Sequence, residues 1–200
     1  METYDLLVIK IYNSKMDLFT IKTISDILSV KNEATLLNII RKFIKIGIIA
    51  KLERGRYILK DSNINDFTLA NFIYSQSYIS FETALNYYGI LSQFPYVISS
   101  ATSKKTKEKI IGDKTFRYFH IKKELFWGYE KKNDFIIAFP EKAVLDQLYL
   151  SSKGLLSINL DEYDFTGIIW QKIVDFSKRY PKTRQFIKGM KNLRGYIKKW

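Results

Sequence analysis

Residues 20–47 read TIKTISDILSVKNEATLLNIIRKFIKIG, and this stretch decides the fold of the first part of the chain. Thr20 stands where an N-cap hydroxyl accepts from the free amides of a helix's first turn. Ile21, Ile24, Ile27 and Leu28 then recur at three- and four-residue spacing, the apolar stripe of an amphipathic helix. Ser29-Val30-Lys31-Asn32 is a short turn. A further helix follows with Leu36, Leu37, Ile40, Phe43 and Ile44 on one face, and Gly47 sits where a left-handed residue would close it. The opposite face presents Asn32, Glu33, Thr35, Asn38, Arg41 and Lys42.

Upstream, Leu6, Leu7, Ile9, Lys10, Ile11 and Tyr12 predict a compact apolar helix that Asn13-Ser14-Lys15 breaks. Downstream, residues 48–52 predict a strand, Glu53-Arg54-Gly55-Arg56 a tight turn and Tyr57-Ile58-Leu59 the return strand. Three short helices followed by a basic-tipped hairpin is the layout of a winged helix-turn-helix over residues 1–60; the competing reading is a small helical subdomain with a hairpin. In the first layout the third helix enters the major groove of double-stranded DNA. Asn38 is matched to adenine, Glu33 to the cytosine amino group, and Thr35 to a thymine methyl or a phosphate. Asn32 begins the same face, Arg41 and Lys42 suit phosphates, and Arg54 and Arg56 flank the wing tip. Each of these also has an ordinary reading as solvated surface.

The whole chain has 200 residues, 46% of them apolar and 26% charged, so a core can form and the segment is not a disordered one. Thirty-three Lys and Arg against twenty Asp and Glu leave +13. That excess points to a polyanionic partner. It is uneven: residues 1–60 carry eleven basic and six acidic side chains, 61–150 eleven and ten, and 151–200 eleven and four. With no cysteine and a single histidine, His120, disulfides, thiolate nucleophiles and Cys/His zinc sites are excluded. No apolar run reaches the ~18 residues of a membrane span. The acidic start predicts no leader peptide, and the chain reads as cytoplasmic.

Past a polar stretch at residues 60–66, the pattern predicts an α+β domain over 61–200 with a mostly antiparallel sheet. A helix is expected over 67–74. Another is opened by Ser80 with Thr83 and closed by Gly89. Strands are expected over 96–101, at 110–111 with 115–121 around Gly112-Asp113, over 125–129 and over 135–138, with a basic loop over 102–109. Pro140 begins a helix whose apolar residues are Ala143, Val144, Leu145, Leu148 and Tyr149. After Pro181, the residues Phe186, Ile187, Met190, Leu193, Ile197 and Trp200 recur at helical spacing. Lys182, Arg184, Lys188, Lys191, Arg194, Lys198 and Lys199 lie between them, which makes residues 181–200 a basic amphipathic helix.

Within this domain, Tyr78-Ile79-Ser80-x-x-Thr83-Ala84-Leu85-x-x-Tyr88-Gly89-Ile90, Ser99-x-Ala101-Thr102-Ser103-Lys104-Lys105, Phe116-Arg117-Tyr118-x-x-Ile121 and Ala138-Phe139-Pro140-Glu141-Lys142-Ala143-x-Leu145-Asp146-x-Leu148-Tyr149 occur in that order. The set resembles the AbiEi family, antitoxins of type IV toxin–antitoxin and abortive-infection systems, over residues 1–150. The resemblance implies a repressor that binds inverted repeats in its own promoter through the winged helix. It also implies that the remaining chain opposes a nucleotidyltransferase-like toxin, AbiEii, without needing a stable complex with it. Residues 177–200, beyond the resemblance, hold nine basic and no acidic side chains, which makes Lys182, Arg184, Lys188, Lys191, Arg194 and Lys198 the candidate antitoxicity surface; docking to DNA phosphates, to RNA or an acidic partner, or to an anionic membrane also fits this helix.

The reading predicts no enzyme, no cofactor and no metal. A nucleotidyltransferase would need a Gly-Ser dipeptide ahead of paired carboxylates, and no such dipeptide occurs. Glu130-x-Lys132 with Asp113 upstream is half of a nuclease pattern that a lysine-rich chain produces by chance. Glu141 and Asp146 read as a helix-start charge and a surface acid, Asp161-Glu162-Tyr163-Asp164 as a polar loop, and His120 as a strand histidine. Two other functions stay open: a free-standing regulator whose second domain senses a ligand or dimerises, and a nucleic-acid-processing enzyme.

Overall fold

Leu7 and Ile11, one helical turn apart, are the residues of α1 (Tyr4–Asn13) that enter a core; the rest of the apolar run around them stays at the surface or only partly buried, with Leu6 and Ile9 half exposed. The computed structural model describes residues 3–197. It divides into two compact units, residues 1–65 and 66–200.

In the first unit a three-residue strand, β1 (Leu18–Thr20), precedes α2 (Ile21–Leu28) and was not expected. Thr20 Oγ1 accepts from the Thr23 amide at 3.1 Å and caps α2. Ser29, with φ 55°, ends α2 in the left-handed region. Helix α3 (Glu33–Lys45) follows, then β2 (Ile49–Glu53) and β3 (Arg56–Leu59). The three strands form an antiparallel sheet in the order β1-β3-β2. Phe19 and Tyr57, opposite each other on β1 and β3, share one buried core with Ile24, Leu28, Ile40 and Phe43. The buried stripe of α3 is Leu36, Ile39, Ile40 and Phe43. Ile44, expected on that face, is exposed, and Ile39 takes its place.

The second unit carries α4 (Asp66–Ile73), β4 (Ser77–Ile79), α5 (Phe81–Tyr87), β5 (Val97–Thr102), β6 (Lys107–Ile111), β7 (Lys114–His120), β8 (Tyr129–Lys132), β9 (Phe135–Ala138), α6 (Pro140–Ser151), α7 (Trp170–Ser177) and α8 (Arg184–Ile197). Its six strands run in the order β6-β7-β5-β4-β9-β8. β6/β7, β4/β5 and β8/β9 are antiparallel pairs; β5/β7 and β4/β9 are parallel joints. The fold is therefore α+β with mostly antiparallel sheets. Two expectations need correction. The basic loop is shorter than read, because β6 already begins at Lys107. Residues 125–128 are not strand: Leu125 ends a single 3-10 turn at Lys123–Leu125, and Gly128, with φ 76°, turns the chain into β8.

Helix α6 is the axis of this unit; every residue from Glu141 to Leu150 is buried. α5, α7 and α8 pack on it. Gly189 lets α8 approach, since a Cβ there would lie 2.6 Å from Leu148 Cδ1. Glu141 lies in the first turn of α6, as read, though only 3% exposed; Asp146, read as a surface acid, is fully buried. Lys142, also fully buried, is ion-paired with Asp146 one turn on. The Asp146 carboxylate accepts from Tyr78 OH and Ser80 Oγ, both at 2.9 Å, and from Tyr180 OH at 2.7 Å. With Lys142 this fills the roughly four acceptor positions of a carboxylate. Ser80 therefore does not cap α5 as its position implied; its hydroxyl serves Asp146.

The Lys142 ammonium also donates to Tyr78 OH at 2.9 Å and lies 5.3 to 5.4 Å from the ring centres of Trp127, Tyr180 and Tyr78. A Cβ at Gly128 would come within 3.0 Å of the Lys142 stem. Burial, then the Asp146 charge, pushes the Tyr78 and Tyr180 hydroxyls well above their ordinary pKa, so both remain donors at neutral pH. Burial pulls Lys142 below its ordinary value, and Asp146 opposes that pull.

Removing one member of such a pair strands the other charge without water. Asp146→Ala is expected to lower the stability of the second unit by about 3–5 kcal/mol. Replacing both together, Lys142→Met with Asp146→Leu, costs less than Asp146→Ala alone. Urea unfolding followed by tryptophan fluorescence reads this unit alone, because all three tryptophans, Trp127, Trp170 and Trp200, lie in it. A loss under about 1 kcal/mol for Asp146→Ala would contradict the role given to the pair.

Candidate functional site

The start of α3 is built by its own side chains. Asn32 Oδ1 accepts from the Thr35 amide at 2.9 Å and from Thr35 Oγ1 at 3.1 Å. Both lone pairs of that oxygen are thus used in the cap, and the side-chain amide nitrogen is what Asn32 has left to offer. Glu33 is exposed in the first turn, where its charge suits the helix dipole. One turn further, Arg41 Nη1 donates to Asn38 Oδ1 at 2.8 Å, so these two candidates are brought together and Asn38's amide is held in one orientation. Lys42 points back to α1, its ammonium 3.1 Å from the centre of the Tyr4 ring.

The hairpin tip is the two-residue turn Arg54-Gly55. Gly55 has φ 76°, a backbone region that L side chains rarely adopt. Its carbonyl accepts from the Ile21 amide at 3.3 Å, which ties the tip to the start of α2. Arg54 is exposed and makes no hydrogen bond or ion pair among the described residues. Arg56 differs: its Nε lies 2.8 Å from Glu53 Oε1 across the turn, and it is half-buried. The exposed polar set of α3 and the exposed Arg54 at the tip belong to the same unit.

In the second unit, Arg184, Lys188 and Lys191 form the outward stripe of α8, opposite the buried Phe186, Leu193 and Ile197. Arg194 lies on the flank of the same helix, and Lys182 precedes it in the turn after Pro181. All five are exposed, and none has an ion-pair partner among the described residues. Lys198 lies outside the described residues.

The remaining candidates separate. Glu130 and Lys132 lie on the edge strand β8, whereas Asp113 is in the turn joining β6 and β7 at the other edge of the sheet. The half-nuclease pattern is not assembled. His120 is exposed at the end of β7, its Nδ1 2.8 Å from the Lys104 carbonyl oxygen. Asp161 accepts from Tyr196 OH at 2.8 Å, and Glu162 accepts from Asn159 Nδ2 at 2.8 Å, so both serve local structure.

What sequence reading missed is Lys142. A lysine and an aspartate four apart on a helix of Ala143, Val144, Leu145 and Leu148 were visible. Their position inside the apolar stripe was the signal of burial. The segment around Pro140-Glu141-Lys142-Ala143 and Asp146 packs the domain together: Lys142, Asp146 and Ser80 are all fully buried.

If Asn32 holds the start of α3, Asn32→Ala lowers local stability by about 1 kcal/mol and Asn32→Asp retains it. Amide hydrogen exchange across residues 33–40 reads the difference. Unchanged exchange in Asn32→Ala would mean that the side chain does not hold the helix start. None of the family models and none of the curated proteins compared with the chain matches it.

Proposed function

We propose that the chain is a DNA-binding repressor of its own operon and the antitoxin of a type IV pair. In this reading residues 1–60 form a winged helix-turn-helix, and the second unit opposes a nucleotidyltransferase-like toxin. The observation that carries the first half is α3: a capped helix behind a short turn, with Glu33, Asn38 and Arg41 exposed on one side and Leu36, Ile40 and Phe43 buried on the other. A hairpin with a free Arg54 follows it. Such a helix suits the major groove, and an arginine at a hairpin tip suits the adjacent backbone. The second half draws on the five unneutralised cations of α8 and its approach, and on the ordered resemblance to AbiEi proteins. No cofactor or metal enters this reading.

A second reading, a free-standing regulator that senses a small ligand, draws on one observation. A cleft of about 520 Å³ in the second unit is lined by Glu82, Arg117 and Tyr163 and flanked by Phe94 and Tyr96, which are 85% and 100% exposed. Gene order separates the two, since the antitoxin reading predicts a nucleotidyltransferase-like gene next door.

Fluorescence anisotropy with a duplex from the chain's own promoter and a scrambled duplex tests DNA reading. Asn38→Ala is expected to cost about 1–3 kcal/mol on the promoter duplex and little on the scrambled one. Arg54→Ala should weaken both alike and reduce the salt slope by about one. Equal affinity of the wild type for both duplexes at physiological salt would end the repressor reading. In cells carrying the neighbouring gene, the full chain is expected to restore growth. Lys188→Glu, Lys191→Glu and Arg194→Glu combined should lose that protection while thermal stability is unchanged; full protection would remove α8 from the account.

A further inference from the structure

Only part of the apolar side of α8 is used inside the protein. Phe186, Leu193 and Ile197 are buried, but Ile187 is 43% exposed and Met190 half-buried. These two lie on the flank of the helix, and beside them Trp170, the first residue of α7, completes a recess of about 260 Å³ whose lining is almost wholly apolar. The rim is cationic: Lys182, Lys191 and Arg194 line the same recess. The acid nearest in sequence, Asp175, is held by Lys178 at 2.6 Å and by Gln171 at 3.3 Å.

We propose that this recess between α7 and α8 is a docking groove for an acidic amphipathic segment of a partner protein. In this mode one or two bulky apolar side chains fill the floor, and carboxylates on the same segment meet the three rim cations. The chemistry of the lining chooses among polyanions. Phosphates of duplex DNA would satisfy the rim, but Ile187 and Met190 have no donor or acceptor for base edges, and the stacked bases of a duplex cannot enter the recess to meet Trp170. A membrane-surface helix must lay its apolar face into the lipid. Here that face is committed to the core through Phe186, Leu193 and Ile197, and a flat bilayer does not fill a recess. A side-chain anchor surrounded by opposite charge satisfies both parts of the groove. The groove is on the flank of α8 and shares Lys191 with its outward stripe, and it stands whether or not the chain neutralises a toxin.

The test uses the full chain labelled with fluorotryptophan, the Trp170 resonance being assigned through Trp170→Phe. The first probe is a synthetic helical peptide in which leucine and phenylalanine at one-turn spacing alternate with glutamates. In the second probe serine replaces the apolar residues at unchanged charge. Duplex DNA and phosphatidylglycerol vesicles complete the set. The first peptide is expected to bind and to shift the Trp170 resonance. Its affinity should fall at least about tenfold in Ile187→Glu, and by a similar factor in Lys191→Glu with Arg194→Glu. Both variants alter exposed positions, so circular dichroism should stay unchanged. The serine peptide should bind at least about tenfold more weakly than the first. No binding of the first peptide, equal binding of the two, or a Trp170 shift produced by DNA or vesicles instead would each overturn the proposal. Growth rescue and promoter binding report on the function proposed above, and neither result alters this one.

Discussion

The second unit depends on one carboxylate. Asp146 is taken wholly out of water, and a buried charge is tolerated only when its partners are complete. Completion here requires Lys142 from its own helix, Tyr78 from β4, Ser80 from the β4–α5 junction and Tyr180 from the link between α7 and α8. The demand of one anion therefore joins the sheet, the central helix and the C-terminal helices. Hydrophobic packing alone would allow α8 to slide along α6. The fixed place of Tyr180, stacked 5.3 Å from Phe186 at an interplanar angle of 9°, sets where α8 begins.

The first unit is organised differently, by short-range contacts. Thr20 and Asn32 cap their helices, Ser29 makes the turn between them, and a sheet of three short strands closes the core from below. The same economy shapes the polar face of α3. Asn38 and Arg41 are hydrogen-bonded to each other before any ligand arrives. Such a pair limits the rotamers that binding would otherwise have to order. An adenine edge would meet an Asn38 amide whose oxygen already has one donor and whose nitrogen is free. Lys42, drawn onto Tyr4, contributes charge from a fixed position.

Periodicity made much of this legible. The stripes at Ile24 and Leu28, at Leu36, Ile40 and Phe43, and at Phe186, Leu193 and Ile197 are one-face patterns, and burial follows them. Gly47, Gly55 and Gly112 stand at positive φ where turns were read. Strand β1 was not legible, because three residues carry no alternation and its pairing with β3 is set by distant sequence. The buried cluster failed for a related reason. The apolar neighbours of Lys142 and Asp146 signal burial, but the partners that complete the carboxylate are set by distant sequence: Tyr180 is thirty-four positions away, and Tyr78 and Ser80 sixty-eight and sixty-six. Of the candidate site residues, the local pairings of Asn32 with Thr35 and of Asn38 with Arg41 were within reach of helix spacing and went unread. The tie between Arg56 and Glu53 follows from hairpin register, which composition does not reveal.

The central claim is that α3 and the hairpin tip recognise the chain's own control region. A reporter gene placed behind that promoter, and a second behind an unrelated promoter of equal strength, measures it most directly. The account predicts that the wild type lowers the first reporter and leaves the second alone, and that Asn38→Ala with Arg54→Ala restores the first without loss of protein. Equal effects on both promoters, or repression untouched by the two substitutions, would contradict it.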